Sequence, residues 1–183
     1  INTELIKGLN LSTTFQYNET TTRRPTFNVF DRLLYLPRNL DLQGLPFENP
    51  TDFSNVFYRA DLENPYWQLK NTGVKSERTG FFGKVGLSYN LTDNFAVSYR
   101  VGSDSYSTVT TSTRNKGGIG TTAGLGTMST SNSKRLNLDH NFLVSGSAIQ
   151  LGSKLELNTQ LGLNLRSLNS ESFGISSSDQ VVY

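Results

Sequence analysis

The chain has no cysteine and only one methionine, one tryptophan and one histidine in 183 residues. Without thiols there is neither a disulfide framework nor a thiolate metal site. The single histidine, His140, has no second imidazole or thiol to complete a ligand set, and Asp139 alone is weak company for it. No apolar run reaches the length of about 18 residues that a membrane-crossing helix needs. Charge is nearly balanced, 17 basic against 15 acidic residues, so no nucleic-acid partner is indicated. Gly117-Gly118-Ile119-Gly120 and Gly124-Leu125-Gly126 lack the spacing and the strand-to-helix context of a phosphate-cradling loop. No nucleophilic triad or isolated carboxylate pair stands out, so the chain reads as non-enzymatic, with no cofactor and no metal.

What the chain does have is period-2 alternation. From Leu9 to Asn18 the residues Leu9, Leu11, Thr13, Phe15 and Tyr17 share one face, and Asn10, Ser12, Thr14, Gln16 and Asn18 the other. The pattern recurs near 80–91, 95–106, 134–146 and 154–166. Each segment is close to the length of about 9–11 residues that a tilted strand needs to cross a bilayer. Barrels conceal their hydrophobicity in such alternation, so the fold class expected is all-β: an antiparallel transmembrane β-barrel segment of about five to six strands. Leu87, Val97, Leu138 and Leu161 are expected to face lipid, and Lys84, Arg100, Asn137 and Asn158 to face inward.

The start at Ile1 without an initiator methionine, and the fresh apolar run Val181-Val182-Tyr183, read as an internal piece of a longer barrel. Residues 1–183 are then part of one barrel domain, with the missing strands elsewhere in the parent. Leu91 and Phe95 share a face, which makes Thr92-Asp93-Asn94 a three-residue turn. A second short link lies between Gly146 and Leu155. Short turns are periplasmic and long loops extracellular in such barrels, which places 20–79 and 107–133 outside the cell.

The first long loop holds every proline in the chain, Pro25, Pro37, Pro46, Pro50 and Pro65, as expected of residues that cannot donate to a ladder. A short helix over Val29–Leu36 would end at Pro37, and a loop this aromatic should pack as a cap. The second loop is rich in Ser, Thr and Gly, a composition that predicts mobility.

Several stretches resemble the barrel region of SusC/RagA-family TonB-dependent transporters: Asn64-Pro65-Tyr66-Trp67, Gly80 through Asp93, Val97 through Asp104, Tyr35-Leu36-Pro37-Arg38 and Asn137-Leu138-Asp139. The resemblance implies a parent barrel of roughly 22 strands around an N-terminal plug. It further implies nutrient import of glycan or peptide oligomers across the outer membrane of a Gram-negative bacterium. The implied partners are the lipid bilayer, the remainder of the barrel and plug, a SusD-like surface lipoprotein, and TonB through segments absent here. The alternatives are a SusC-like barrel acting as a structural or docking subunit of a larger outer-membrane or secretion assembly, and a simple diffusion porin.

Within that frame the lumen-facing charges are Lys84, Arg100, Asp104, Arg135, Asp139, Glu156 and Arg166, expected to brace the wall or hold the plug more than to touch substrate. The three-residue turn sets Lys84 beside Gly102 and diagonal to Asp104, within reach of a salt bridge, and sets Gly86 opposite Arg100. Tyr35, Arg38, Tyr58, Tyr66 and Trp67 are the candidate lid or ligand contacts, with packing of the loop cap as the competing role. His140 falls on the nominal lipid face between Leu138 and Phe142, where a local bulge or a protein cover would account for it.

Overall fold

The computed structural model describes residues 1–120, 125–150, 152 and 154–179. Gly124 and the run Val181 to Tyr183 lie outside them. Among the described residues six strands form one sheet in simple chain order: β1 (Asn2–Ile6), β2 (Leu9–Arg24), β3 (Thr72–Asn90), β4 (Phe95–Arg114), β5 (Thr127–Gln150) and β6 (Glu156–Ser178). Two short helices, α1 (Val29–Leu34) and α2 (Pro65–Asn71), sit in the link between β2 and β3.

Register follows from the alternation and the turns. β1 pairs antiparallel with β2, Thr3 opposite Leu11 and Glu4 opposite Asn10, before an irregularity between Glu4 and Ile6. The β3–β4 turn closes with Leu91 and Thr92 N–H both donating to Phe95 O (2.9 and 3.2 Å), and Asn94 and Phe95 N–H donate to the Thr92 hydroxyl. A one-residue error would have turned every side chain to the wrong face. Gly86 is packed beside Arg100 and against Ser12, as the odd-length turn requires.

The expected transmembrane barrel segment is not what forms. β1 and β6 are the outer strands and do not pair with each other, so the sheet is open. Closure removes a sheet's edges; here both edges remain. The wall of a larger, roughly 22-stranded barrel is therefore corrected to an open antiparallel sheet, and the lipid bilayer, plug and remaining barrel lose the structural ground on which they were inferred as partners. The reason is general: alternation reports an antiparallel sheet with one polar face and carries no information about closure.

The strands are also longer than the alternation suggested. Residues 107–114 and 127–133, expected as mobile loop, are strand. Their threonines are β-branched and fit a pleated ladder, which Ser/Thr-rich composition alone does not reveal.

The chain divides into two compact units. The first comprises Ile1–Glu19, Thr79–Ser107 and Lys134–Glu171 and is sheet throughout its regular structure. Among the described residues nothing covers its apolar face: Phe15 and Tyr17 are each 66% exposed and Leu161 76%. His140 lies on this face, satisfied by Tyr99, whose hydroxyl is 2.8 Å from Nδ1. The tyrosine gives this ring nitrogen its hydrogen-bond partner on the apolar face.

The second unit comprises the described residues of Thr20–Arg78, Thr108–Ser133 and Ser172–Tyr183. The expected helix at 29–36 is realised over Val29–Leu34, capped by the Asn28 side chain, which accepts from Phe30 N–H. Helix α2 begins at an Asn64 cap with Pro65 in its first turn, where a missing N–H costs nothing. Its Trp67 is fully buried, the only buried large apolar side chain among the described residues, and its indole N–H donates to Phe53 O at 2.8 Å. The base of the loop is tied by the hydroxyls of Thr26 and Thr72, 2.7 Å apart.

Candidate interaction surface

The second unit is organised around Glu63. Its carboxylate accepts from Arg114, from Ile119 N–H (2.8 Å) and from the Gln68 amide (2.6 Å), and Arg114 also lies over the Trp67 ring at 5.8 Å. The side chains of Glu63 and Arg114 are mostly buried, so each offsets part of the cost of the other's desolvation. The glycine run explains how these groups approach. A Cβ at Gly118 would fall 2.7 Å from both Arg114 Nη2 and Glu63 Oε1. Gly117, at φ +98°, would place one 2.8 Å from Ser54 Cα. Gly117 and Gly118 thus permit close packing within the second unit.

The aromatic candidates separate in space. Tyr35 and Tyr58 line one hollow of about 250 Å³ together with Arg32, Phe57 and Pro65. Tyr66 faces the Phe47 ring, 6.1 Å between centroids. Trp67 is buried in the second unit, and Arg38 is exposed outside the hollow. Helix α2 itself was missed at the sequence level, although Asn64-Pro65 is a cap followed by a first-turn proline and would have signalled it.

On the polar face of the sheet unit, four of the seven charged candidates converge. Lys84, Arg100, Asp104 and Asp139 line one hollow of about 200 Å³ with Gly102 and Asn137. The expected Lys84–Asp104 salt bridge is not formed. Among the described residues, no ion pair within 4.0 Å involves Lys84, Arg100 or Asp104. Asp139 instead accepts from the Asn141 and Asn164 amides. The other three candidates lie outside this hollow: Arg166 Nε donates to Asn137 at 2.8 Å, Arg135 reaches Tyr106 Oη at 3.5 Å, and Glu156 accepts from Gln150 at 3.5 Å.

The remaining feature is the β6 edge. All 23 residues of this strand are exposed, and it is the outermost strand on its side. Leu161, Leu163 and Leu165 alternate with Gly162, Asn164 and Arg166 along it.

No protein family model matches this chain, and no curated protein matches it. The SusC/RagA resemblance is therefore not sustained. The segments that suggested it lie in the β3–β4 hairpin around Thr92-Asp93-Asn94, in the Asn64-capped helix α2, just after α1 and in β5. With an open sheet in place of a barrel, TonB-dependent nutrient import, the SusD-like lipoprotein, the coupling to TonB, the SusC-like docking subunit and the Gram-negative outer-membrane location are all corrected together.

Proposed function

We propose that this chain is a non-catalytic interaction module that works by strand addition. Its partner is an antiparallel strand of alternating apolar and polar residues that pairs along β6. The observation that carries the reading is the outer edge of β6 in the first unit, where every residue from Glu156 to Glu171 is exposed. A long edge offers a row of backbone donors and acceptors to any extended segment, and natural sheets rarely leave one this long without a pairing partner. Main-chain hydrogen bonds would supply affinity, and alternation would supply register. The opposite edge is a poor substitute, since β1 has five residues and an irregular pairing.

Amide hydrogen exchange on the full chain tests this. The probe is a synthetic peptide with the sequence of residues 134–147, which alternates as β6's own neighbour does, against a scrambled peptide of the same composition. The alternating peptide should slow exchange over 157–166, and the scrambled one should not. Protection that rises with protein concentration alone would support strand addition with a second copy as the partner. Unchanged exchange under both conditions, or equal protection by the scrambled peptide, would overturn it.

A further inference from the structure

We infer that the hollow centred on Gly102 is a binding site for a small zwitterion of the α-amino-acid type. The inference rests on how the sheet arranges four charges. Arg100, Gly102 and Asp104 follow one another on the polar face of β4, each step about 6.8 Å along the strand. The β3–β4 turn sets Lys84 at the flank of Gly102 on one side. On the other side, the bonds from Ser147 N–H to Asn94 O and from Ser145 Oγ to Ala96 O set the β4–β5 register that brings Asp139 alongside.

Gly102 therefore sits at the centre of a cross. One arm runs across the strands from Lys84 to Asp139, and the other runs along β4 from Arg100 to Asp104. Both cations lie toward one corner and both carboxylates toward the opposite corner, with strands about 4.8 Å apart. Such a field is dipolar. It favours neither an anion nor a cation alone, because each would meet like charges across the hollow, and it suits a ligand carrying both signs at short separation. The carboxylate would lie against Lys84 and Arg100, and the ammonium against Asp104 and Asp139.

Two observations show space and capacity. Gly102 leaves the centre open, and a Cβ built there meets nothing nearer than Gly83 O at 3.9 Å. Lys84, Arg100 and Asp104 also make no ion pair among the described residues, so their charges are available. The Asn141 and Asn164 amides hold Asp139 by donating to it, which fixes the carboxylate while leaving lone pairs for an ammonium.

The test is an NMR titration of the full chain with L-alanine, reading the Gly102 amide, beside N-acetyl-L-alanine and L-alanine methyl ester, which keep one charge each. L-alanine should bind at least about tenfold more tightly than either derivative. Lys84→Met should reduce the advantage of alanine over its methyl ester, and Asp104→Asn should reduce its advantage over the N-acetyl compound. Gly102→Val keeps all four charges and is compatible with a strand, yet fills the centre, so it should abolish binding. The idea is overturned if no saturable shift at Gly102 is seen, if all three compounds bind equally, or if Gly102→Val binds as the wild type does.

Discussion

Tyr99 and His140 meet on the apolar face of the sheet, with the phenol oxygen 2.8 Å from Nδ1 and the rings stacked at 6.2 Å between centroids. The pair joins β4 to β5 and gives a polar atom on an apolar face its partner. In the tautomer protonated at Nε2, the phenol donates to Nδ1. Tyr99→Phe should therefore destabilise the sheet by about 0.5–1.5 kcal/mol. A double-mutant cycle with His140→Leu, followed by denaturant unfolding, should return a coupling energy of about 0.5 kcal/mol or more. Additive effects would show that the bond contributes nothing.

The same pair shows what could be read in the sequence and what could not. Alternation placed Leu138, His140 and Phe142 on one face, and the odd-length turn placed Lys84 beside Gly102. Both are local inferences from a period of two. His140 needed its partner 41 residues away, which only the β4–β5 register supplies. The convergence of Lys84, Arg100, Asp104 and Asp139 spans three strands and was visible only in part. Whether the sheet closes was not legible at all, because edges and closed walls share the same alternation. Residues 107–114 and 127–133 misled in the opposite direction, since threonine is at once a loop-rich residue and a good strand former.

Acid should weaken the second unit through Glu48. Burial alone would raise its pKa, but hydrogen bonds from Lys70 and Asn71 and the Lys70 charge outweigh that and hold it below the ordinary value. A carboxyl whose folded pKa is depressed contributes stability that is present above its unfolded pKa, about 4.3. That stability is lost as pH falls through the folded value. Trp67, the only tryptophan in the chain and buried in this unit, is the natural reporter. Its fluorescence should show the denaturation midpoint falling with acidification below about pH 4.5, and Glu48→Gln should flatten that dependence. An identical acid limb in the variant would remove Glu48 from the explanation.

Two glycines in strands should respond to alanine with opposite signs. At Gly146 in β5, a Cβ would stand 3.0 Å from Phe95 Cε1, 2.9 Å from Ile149 Cδ1 and 3.2 Å from Thr159 Cγ2. The Ile149 methyl can swing away, but the Phe95 ring and the Thr159 methyl must also give, so Gly146→Ala should cost about 1 kcal/mol by overpacking. At Gly73 in β3, nothing lies within 4 Å of the added carbon. There the dominant effect is the loss of backbone freedom in the unfolded chain, and Gly73→Ala should gain about 0.4–1 kcal/mol. Phe95→Leu removes the ring atom that meets the new methyl group, so in combination it should recover part of the Gly146→Ala loss. Equilibrium unfolding of the three single variants and the Gly146→Ala/Phe95→Leu double variant decides the matter. If Gly146→Ala proves neutral, or if Phe95→Leu adds its full cost to it, the contact is not what keeps this position glycine.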